Sequence, residues 1–349
     1  MKCNNCGSTL HYEPSIRGLK CDNCGFTKEL PRPEEETVIE EVDFEGALKG
    51  ASGDWGIERR TVTCKQCGAV TLNAPEQIAG VCPYCGSSNV LSAEDINDSI
   101  APNAIIPFSY TKEEAIANFY KWNKWAFWAP EDFRKGRVLG NLTGVYLPYW
   151  TFDADSVTTY QGKFGYTTET SDGSSTKWYT RSGVLDKFID DFTVSGSRRF
   201  SKDKLFKHVV TFNTNDIIPY TPEALPGFVA EKYTIGLDEA WNIAKGDLKK
   251  RLENAICKKE SADCYSKMQM STEYGNVKFR YVLVPVWLAA CRYKGQSYNV
   301  VINGRDGRGN CRRPISTAKV ILSIAIFIGI FTLPLILSFL FSLIMALFM

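Results

Sequence analysis

The chain has 349 residues, of which 44% are hydrophobic and 13% aromatic, enough for two to four domains with buried cores. Its 41 basic and 39 acidic residues leave a net charge of only +2, which argues against a surface that tracks nucleic-acid phosphates. The 12 cysteines are unevenly distributed, with eight in the first 85 residues. The other four are scattered, namely Cys257, Cys264, Cys291 and Cys311.

The early cysteines form two repeated modules. Each module has two C-x-x-C pairs separated by 14 residues, and a glycine follows each pair. No apolar signal segment precedes them, which favours a reducing compartment and metal ligation over disulfides. We therefore predict zinc ribbon 1 at residues 1–30 and zinc ribbon 2 at residues 55–90. The predicted ligands are Cys3, Cys6, Cys21 and Cys24 in the first ribbon, and Cys64, Cys67, Cys82 and Cys85 in the second.

Four thiolates are the preferred ligand set of a structural zinc ion, so we expect two Zn²⁺ ions, one per ribbon. Iron in a rubredoxin-like site uses the same ligands and stays open as an alternative. Four protein ligands leave no position for water or substrate, which indicates structural rather than catalytic sites. Modules of this size have too little core to fold without the metal.

Residues 31–54 are rich in glutamate and predict an acidic, solvated linker between the ribbons. Each ribbon carries a net charge of about +1, which is too little for a basic face that binds phosphates. The sequence therefore favours protein partners for the ribbons, and makes nucleic acid unlikely. A nucleic-acid-binding role remains the alternative.

Residues 101–311 predict a larger α+β domain. A capping box at Thr111-Lys-Glu-Glu114 opens a helix predicted to run through Trp128, and a strand with Leu147-Pro148-Tyr149-Trp150 follows. The order recurs in a second helix from Leu237 to Cys257 and a strand with Val284-Pro285-Val286-Trp287. We predict a multidomain α+β fold with a duplicated helix-plus-antiparallel-sheet domain, in halves of about 101–212 and 213–311. Residues 177–212 alternate like further strands.

Catalytic signals are sparse. The chain has no Walker, G-x-S-x-G or dinucleotide-binding motif. His208 alternates as in a strand, and Asp153 and Asp155 are expected on one solvated strand face. We therefore expect a non-enzymatic protein and identify no small-molecule substrate. An enzyme in the α+β domain that places these three residues in one pocket is kept as a further alternative.

The tryptophans Trp122, Trp125 and Trp128 recur at every third residue of the first predicted helix, interleaved with lysines. The pattern predicts one apolar helix face packed on the sheet. The alternative is a face that touches lipid head groups, where tryptophan is enriched.

Residues 320–349 carry no charge and predict one transmembrane helix. Pro334 in its middle would allow a kink or a re-entrant hairpin. The flank before it is basic, with Asp306 as its only acid, so the positive-inside rule predicts a cytoplasmic head on a single-pass, tail-anchored protein of the cell membrane. These basic residues, expected near anionic lipid, are Arg305, Arg308, Arg312, Arg313 and Lys319.

The two ribbons, the Pro-x-Trp body, the turn Asn303-Gly304-Arg305-Asp306-Gly307 and the terminal anchor together resemble a bacterial family. These are the membrane-anchored TFIIB-type zinc-ribbon proteins, often labelled primosomal or replication-restart helicases. The helicase label finds no support here, because the chain has no Walker motif for ATP. The resemblance implies partners similar to phage-shock-protein-A-like and SPFH (band-7) proteins, recruited to the membrane in envelope stress.

Overall fold

The computed structural model describes residues 1–30, 39, 41–50, 53–74, 81–88, 90–92, 100–134, 137–171, 173–293 and 296–347. Residues 31–38, 40, 51 and 52 of the predicted acidic linker and the last two residues of the predicted anchor lie outside these ranges. The described residues form a mixed α+β fold with two four-cysteine clusters near the N-terminus and one apolar C-terminal helix.

The helices are α1 (Phe44–Gly50), α2 (Lys112–Asn123), α3 (Glu131–Arg134), α4 (Lys204–Val209), α5 (Leu237–Lys259) and α6 (Thr317–Leu347). The strands are β1 (Leu10–Glu13), β2 (Gly18–Cys21), β3 (Thr27–Glu29), β4 (Val42–Asp43), β5 (Arg60–Cys64), β6 (Val70–Asn73), β7 (Val90–Ser92), β8 (Ala104–Ile105), β9 (Thr143–Thr170), β10 (Gly173–Ser195), β11 (Ile218–Pro219), β12 (Val229–Glu231), β13 (Cys264–Tyr293), β14 (Gln296–Asn303) and β15 (Gly309–Cys311).

Two long antiparallel strands, β9 and β13, form the centre of the main sheet. They have 28 and 30 residues, so each spans roughly 90–100 Å at about 3.3 Å per residue. The two Pro-x-Trp segments cross where Leu147 pairs with Val284, so each segment faces the other around that point. A duplicated unit with two-fold symmetry would give this arrangement. The duplication of the two halves stays a prediction.

Proline is normally excluded from central strands because it has no N–H to donate. Here each proline lies where the outer neighbour of its strand changes. Along β9, the pairing with β12 ends at Tyr146 and the pairing with β10 starts at Tyr149, so Pro148 lies between the two partners. Along β13, the pairing with β8 ends at Leu283 and the pairing with β14 starts at Val286, so Pro285 lies between the two partners. At both prolines, therefore, no paired outer strand needs a hydrogen bond from the backbone N–H that proline lacks.

The two cysteine modules differ in how they join the body. Module 1 (residues 1–30) forms its own three-stranded sheet, β1–β2–β3, and contacts the body through Tyr12, whose N–H donates to the Pro226 carbonyl at 2.8 Å. Module 2 (residues 55–90) contributes β5, β6 and β7, which continue the main sheet in the order β11–β8–β13–β9–β12–β6–β5–β7. The joint is the pairing of β6 with β12. Module 2 is thus an edge of the body sheet.

The end of the predicted acidic linker is structured. β4 pairs with β13 at Lys278 and Phe279, and in α1 the ring of Phe44 packs 6.1 Å from that of Trp241. Glu41 contacts Arg280 at 2.8 Å. This part of the predicted linker is therefore held against the body, which supplies a strand edge and a cation that sequence patterns do not reveal, although Val42, Asp43 and Glu45 are exposed.

The capping box at Thr111 is confirmed, with both reciprocal hydrogen bonds present, and so is the second helix, which begins at Leu237 and reaches Lys259. The first helix, however, ends at Asn123 rather than Trp128. Tight turns follow it, including an Ala126 N–H donated to the Asn123 carbonyl at 3.0 Å. The three tryptophans therefore do not share one helix face.

His208 lies on the helix α4 and not on a strand, which corrects the prediction for residues 177–212 beyond the end of β10. Asp203 caps this helix, because its Oδ1 accepts the Leu205 N–H at 2.9 Å. Phe206 stacks on Phe200 with the ring centres 3.7 Å apart. The buried residues Leu205, Phe206 and Val209 follow helical spacing, which a run of six residues does not distinguish from the alternation of a strand.

The Asn303–Gly307 turn has a structural explanation. Asn303 is buried and donates from Nδ2 to the carbonyls of Val209 and Thr211, at 3.1 and 2.9 Å. A Cβ on Gly304 would lie 2.5 Å from the Phe108 ring, so only glycine fits without displacing that ring. The turn therefore fastens β14 to the core.

The helix α6 has 31 residues and continues through Pro334, so a re-entrant hairpin at that proline does not form. Residues 317–338 have a mean hydropathy of 2.8 and are not buried against the body. By length and composition this helix could cross a membrane.

Candidate metal centres

The four cysteine knuckles share one backbone geometry. In each, the glycine after the second cysteine donates its N–H to the carbonyl of the first cysteine, at 2.8–3.0 Å. These glycines, Gly7, Gly25, Gly68 and Gly86, have φ between +70° and +73°, which favours glycine. The sequence spacing therefore translates into four equivalent turns that direct two thiols each toward a common point.

The thiols of each module form a compact group whose four sulfur atoms lie within 4.8 Å of one another. In module 1, Cys3 and Cys24 are 3.7 Å apart and Cys6 and Cys21 are 3.5 Å apart, measured between Sγ atoms. In module 2 the corresponding pairs are both 3.7 Å apart. Four sulfurs placed ~2.3 Å from a central ion form a tetrahedron with edges of about 3.8 Å. All eight predicted ligands therefore fit two metal ions.

At Cys6, hydrogen bonds favour the thiolate form that a metal requires, whereas burial raises the pKa of Cys82 and of Cys85 in module 2. The side chain and backbone of Ser8, with the side chain of Asn23, lower the pKa of Cys6 to about 5. The donor set is four thiolates in each module, so the coordination would be complete without water or substrate.

The two sites differ in exposure. In module 1, Cys6 and Cys24 are exposed. The two residues between the cysteines of each knuckle are exposed as well, namely Asn4 and Asn5, and Asp22 and Asn23. In module 2 the second knuckle is buried against the body, with Tyr84 only 3% exposed. Its ring packs 5.4 Å from Phe200. Module 1 thus presents its knuckles to solvent, while module 2 uses one knuckle to attach to the body.

Glu231 on β12 holds the buried knuckle of module 2. Its two carboxyl oxygens accept hydrogen bonds from the Tyr84 hydroxyl at 2.9 Å and the Ser197 hydroxyl at 2.6 Å. Arg199 donates to the Cys67 carbonyl and lies 5.5 Å from the centre of the Tyr84 ring. Burial raises the pKa of Glu231 to about 7. No local sequence pattern marks Glu231, because its carboxyl pairs with residues 34 and 147 positions away.

We expect Glu231→Gln to remove a pH dependence of stability. The folded protein holds Glu231 protonated above the ordinary pKa of 4.5, so its contribution is fully present below pH 4.5 and is lost as pH rises through about 7. The loss amounts to about 3 kcal/mol at ~1.4 kcal/mol per pKa unit. Urea unfolding between about pH 5 and pH 8 should show wild type weakening relative to the variant. Parallel curves for the two proteins would contradict this assignment, and Glu239→Gln on the surface serves as the control.

Comparisons with known proteins identify one relative of the chain. Over 235 residues it is 27% identical to "Uncharacterized protein YdjG" of Bacillus subtilis (strain 168), a match that covers 65% of this chain and 68% of the relative. No family model matches the chain, and no solved structure matches it. The relative's name specifies no activity, so function must be argued from geometry.

The residues considered for catalysis do not gather into one site. Asp153 is 5% exposed, which corrects the expectation of a solvated face, and it accepts the Asp191 N–H at 2.5 Å. Asp155 is exposed and accepts a hydrogen bond from Asn276 at 2.7 Å. Three surface cavities in the described part of the chain measure about 400, 490 and 590 Å³. None of them is lined by Asp153, Asp155 or His208.

Asp153, Asp190 and Asp191 lie close enough for a metal ion, but a cation of the protein already lies among these carboxylates. The Arg280 guanidinium is 3.0 Å from Asp191, 3.4 Å from Asp153 and 2.8 Å from Glu41. A β-bulge in β10 after Ile189 brings the aspartates to this point. The group is therefore best described as a partly buried ion-pair network.

The basic residues before α6 are largely occupied by the body. Arg305 pairs with Asp216 at 2.9 Å, Arg308 with Asp306 at 2.6 Å and Arg312 with Asp203 at 3.0 Å. Asp306 is the only acid of this flank in the sequence, and the fold adds Asp216 and Asp203 from distant segments. Arg313 lies 5.7 Å from the Trp122 ring centre and Lys319 donates to the Ala129 carbonyl at 2.7 Å. Among the described residues, the contacts of Arg313 and Lys319 near the start of α6 involve an aromatic ring and a backbone carbonyl.

Proposed function

We propose that this chain is a non-enzymatic, membrane-anchored zinc-binding scaffold whose head holds a protein partner at the cytosolic face of the membrane. Two closed tetrathiolate sites are suited to shaping a binding surface and unsuited to catalysis. The apolar helix α6 supplies the anchor in this proposal, as one transmembrane pass at the C-terminal end. A cytoplasmic head agrees with reduced cysteines and with the positive-inside rule.

The observation that carries the proposal is the exposure of module 1. Its knuckle residues Asn4, Asn5, Asp22 and Asn23 are exposed, while the rest of the module is held by buried Tyr12 against the body. A rigid, exposed tip on a fixed base is a good docking surface, because little conformational entropy is lost when a partner binds it. The near-neutral charge of the module favours a protein over a nucleic acid as that partner.

The resemblance of the sequence to membrane-anchored TFIIB-type zinc-ribbon proteins bears on the partner. It implies a phage-shock-protein-A-like or SPFH protein, and hence a role in envelope stress. We include this partner class in the proposal, and the protein captured by wild type should belong to it.

The test compares equivalent positions in the two modules. Asn5 and Gln66 both stand immediately before the second cysteine of a first knuckle, and both are exposed. Full-length wild type, Asn5→Arg and Gln66→Arg would be expressed in the native cell, solubilised in mild detergent and used to capture partners. We expect Asn5→Arg to reduce recovery of the partner at least ~10-fold, because an added charge at the centre of an interface costs more than ~1.4 kcal/mol.

We expect Gln66→Arg to keep wild-type recovery, because module 2 attaches to the body through its other knuckle. Metal content should stay equal in all three proteins, which separates a lost docking surface from a lost fold. Equal recovery by Asn5→Arg and wild type would refute docking through module 1, and recovery of no partner by wild type would refute the scaffold role.

A further inference from the structure

The segment after α2, from Trp125 to Trp128, exposes three large aromatic side chains. Trp125 is 67% exposed, Phe127 60% and Trp128 57%. Between and after them, Ala126 and Ala129 are buried. The backbone is held by tight turns, with the Phe127 N–H donated to the Trp125 carbonyl at 2.9 Å and the Ala129 N–H to the Ala126 carbonyl at 3.1 Å. The small residues thus anchor the segment while the aromatic rings face outward.

This aromatic segment lies against the beginning of α6. The Trp128 carbonyl accepts the Ser316 N–H at 2.8 Å, and the Trp128 indole N–H donates to the Ser323 hydroxyl at 3.2 Å. Lys319 donates to the Ala129 carbonyl at 2.7 Å. Lys319 is the last charged residue before the uncharged run, and Ser323 lies one turn beyond it, about 6 Å along the helix axis. Trp128 therefore reaches the level of the first apolar turn of α6.

The charges nearby suit a membrane surface. The Lys124 ammonium lies 5.4 Å from the centre of the Trp125 ring, and the Arg313 guanidinium 5.7 Å from that of Trp122. Together with Lys319, which contacts the Ala129 carbonyl, these cations lie beside the aromatic segment. Tryptophan side chains favour the interface between head groups and acyl chains, and lysine and arginine favour the phosphates beside it.

We propose that the aromatic segment Trp125–Trp128 is a second membrane contact, which inserts its rings between lipid head groups beside α6 and fixes the orientation of the head on the bilayer. The inference rests on the proposed anchoring of the chain by α6. A bilayer that surrounds α6 from Val320 onward also surrounds Ser323 and the indole hydrogen-bonded to it. Lipid is therefore the occupant that the geometry favours over a protein partner.

Tryptophan fluorescence tests the contact directly. The full chain would be reconstituted into vesicles of phosphatidylcholine and phosphatidylglycerol whose acyl chains carry bromine near the head groups, since bromine quenches only tryptophans close to it. The chain has eight tryptophans, and the double variant Trp125→Phe/Trp128→Phe retains the other six. Phenylalanine at both positions keeps the segment apolar. We expect the double variant to lose at least half of the quenching that wild type shows.

Trp178→Phe is the matched control. Trp178 is 47% exposed and lies on β10 opposite Gly165 of β9, which in turn lies opposite Cys264, the first residue of β13. The other end of β13 is the one that leads through β14 and β15 to α6. Its replacement should leave the quenching unchanged. Unchanged quenching in the double variant, with the chain still resistant to alkaline extraction, would overturn the aromatic contact alone and would point to a protein occupant. Release of wild type by alkaline extraction would overturn the anchoring on which the inference depends.

Discussion

Substitution of Cys82 by serine should destabilise the body of the protein, whereas the equivalent substitution of Cys21 should affect mainly module 1. Both thiols are buried and both occupy the same position in their module. A structural tetrathiolate zinc site contributes ~10 kcal/mol or more of apparent binding free energy at neutral pH, and loss of one ligand removes most of it. Total stabilities of only about 5–15 kcal/mol leave little margin for such a loss.

The difference between the variants follows from sheet topology. Module 2 continues the main sheet through β6 and β12, and β12 pairs directly with the central strand β9. Loss of the second metal should therefore expose β12 and leave Glu231 without its Tyr84 partner. Module 1 has a separate sheet, so loss of the first metal should leave β9 and β12 paired.

Metal analysis with hydrogen exchange measures this outcome. Each variant should lose one metal ion per chain. In Cys82→Ser the amides of β12 and its neighbours should exchange at least ~100-fold faster, because an opening costs several kcal/mol less. In Cys21→Ser faster exchange should be confined to residues 1–30 and their contacts around Pro226. Equal protection of β12 in both variants would show that module 2 does not stabilise the body.

Replacement of Arg280 by methionine is expected to have the second large effect. The side chain is 13% exposed and faces three carboxylates, those of Glu41, Asp153 and Asp191. Removal of one partner from a buried ion pair typically costs about 3–5 kcal/mol, because it leaves uncompensated charge. Well above pH 6, where Asp153 is ionised, we expect a loss of this size in the free energy of unfolding.

The pH dependence of the Arg280→Met effect has a definite sign. Burial, together with the neighbouring Glu41, raises the pKa of Asp153 to about 6. Removal of the guanidinium raises that pKa further, since the carboxylates then only repel one another. Protonation of Asp153 should relieve this repulsion, so the difference between variant and wild type should shrink as pH falls.

Arg198→Met is the matched control for Arg280→Met. Arg198 forms an ion pair with Glu239 at 2.7 Å, but the two side chains are 64% and 43% exposed. An exposed pair contributes less than about 1 kcal/mol, so this variant should unfold close to wild type in urea. If the two variants lost equal stability, or if the loss in Arg280→Met did not change with pH, the buried network would not have the role assigned to it.

The features that sequence analysis predicted are those with local signals. Cysteine spacing specifies the knuckles because the ligands of each pair are three residues apart, and the Thr111 capping box is complete within four residues. The uncharged run that forms α6 is equally local. Each of these depends on neighbours along the chain, so pattern and propensity are sufficient.

The features that sequence analysis missed depend on distant segments. The carboxylates around Arg280 come from residues 41, 153 and 191, and Glu231 meets Tyr84 across 147 positions. The end of α2 at Asn123 likewise depends on packing, since Asn123 is buried and its Nδ2 reaches the Phe133 carbonyl at 3.5 Å. Tertiary contacts of this kind override a helical repeat of tryptophans.

X-ray absorption at the metal edge, on full-length protein purified from membranes, is the most direct test of the two closed metal sites. We expect two zinc ions per chain, each with four sulfur neighbours at ~2.3 Å and no oxygen or nitrogen neighbour. An oxygen or nitrogen ligand at either ion would indicate an open site that can bind water or substrate. That result, or fewer than two zinc ions per chain, would contradict a scaffold built on two structural zinc centres.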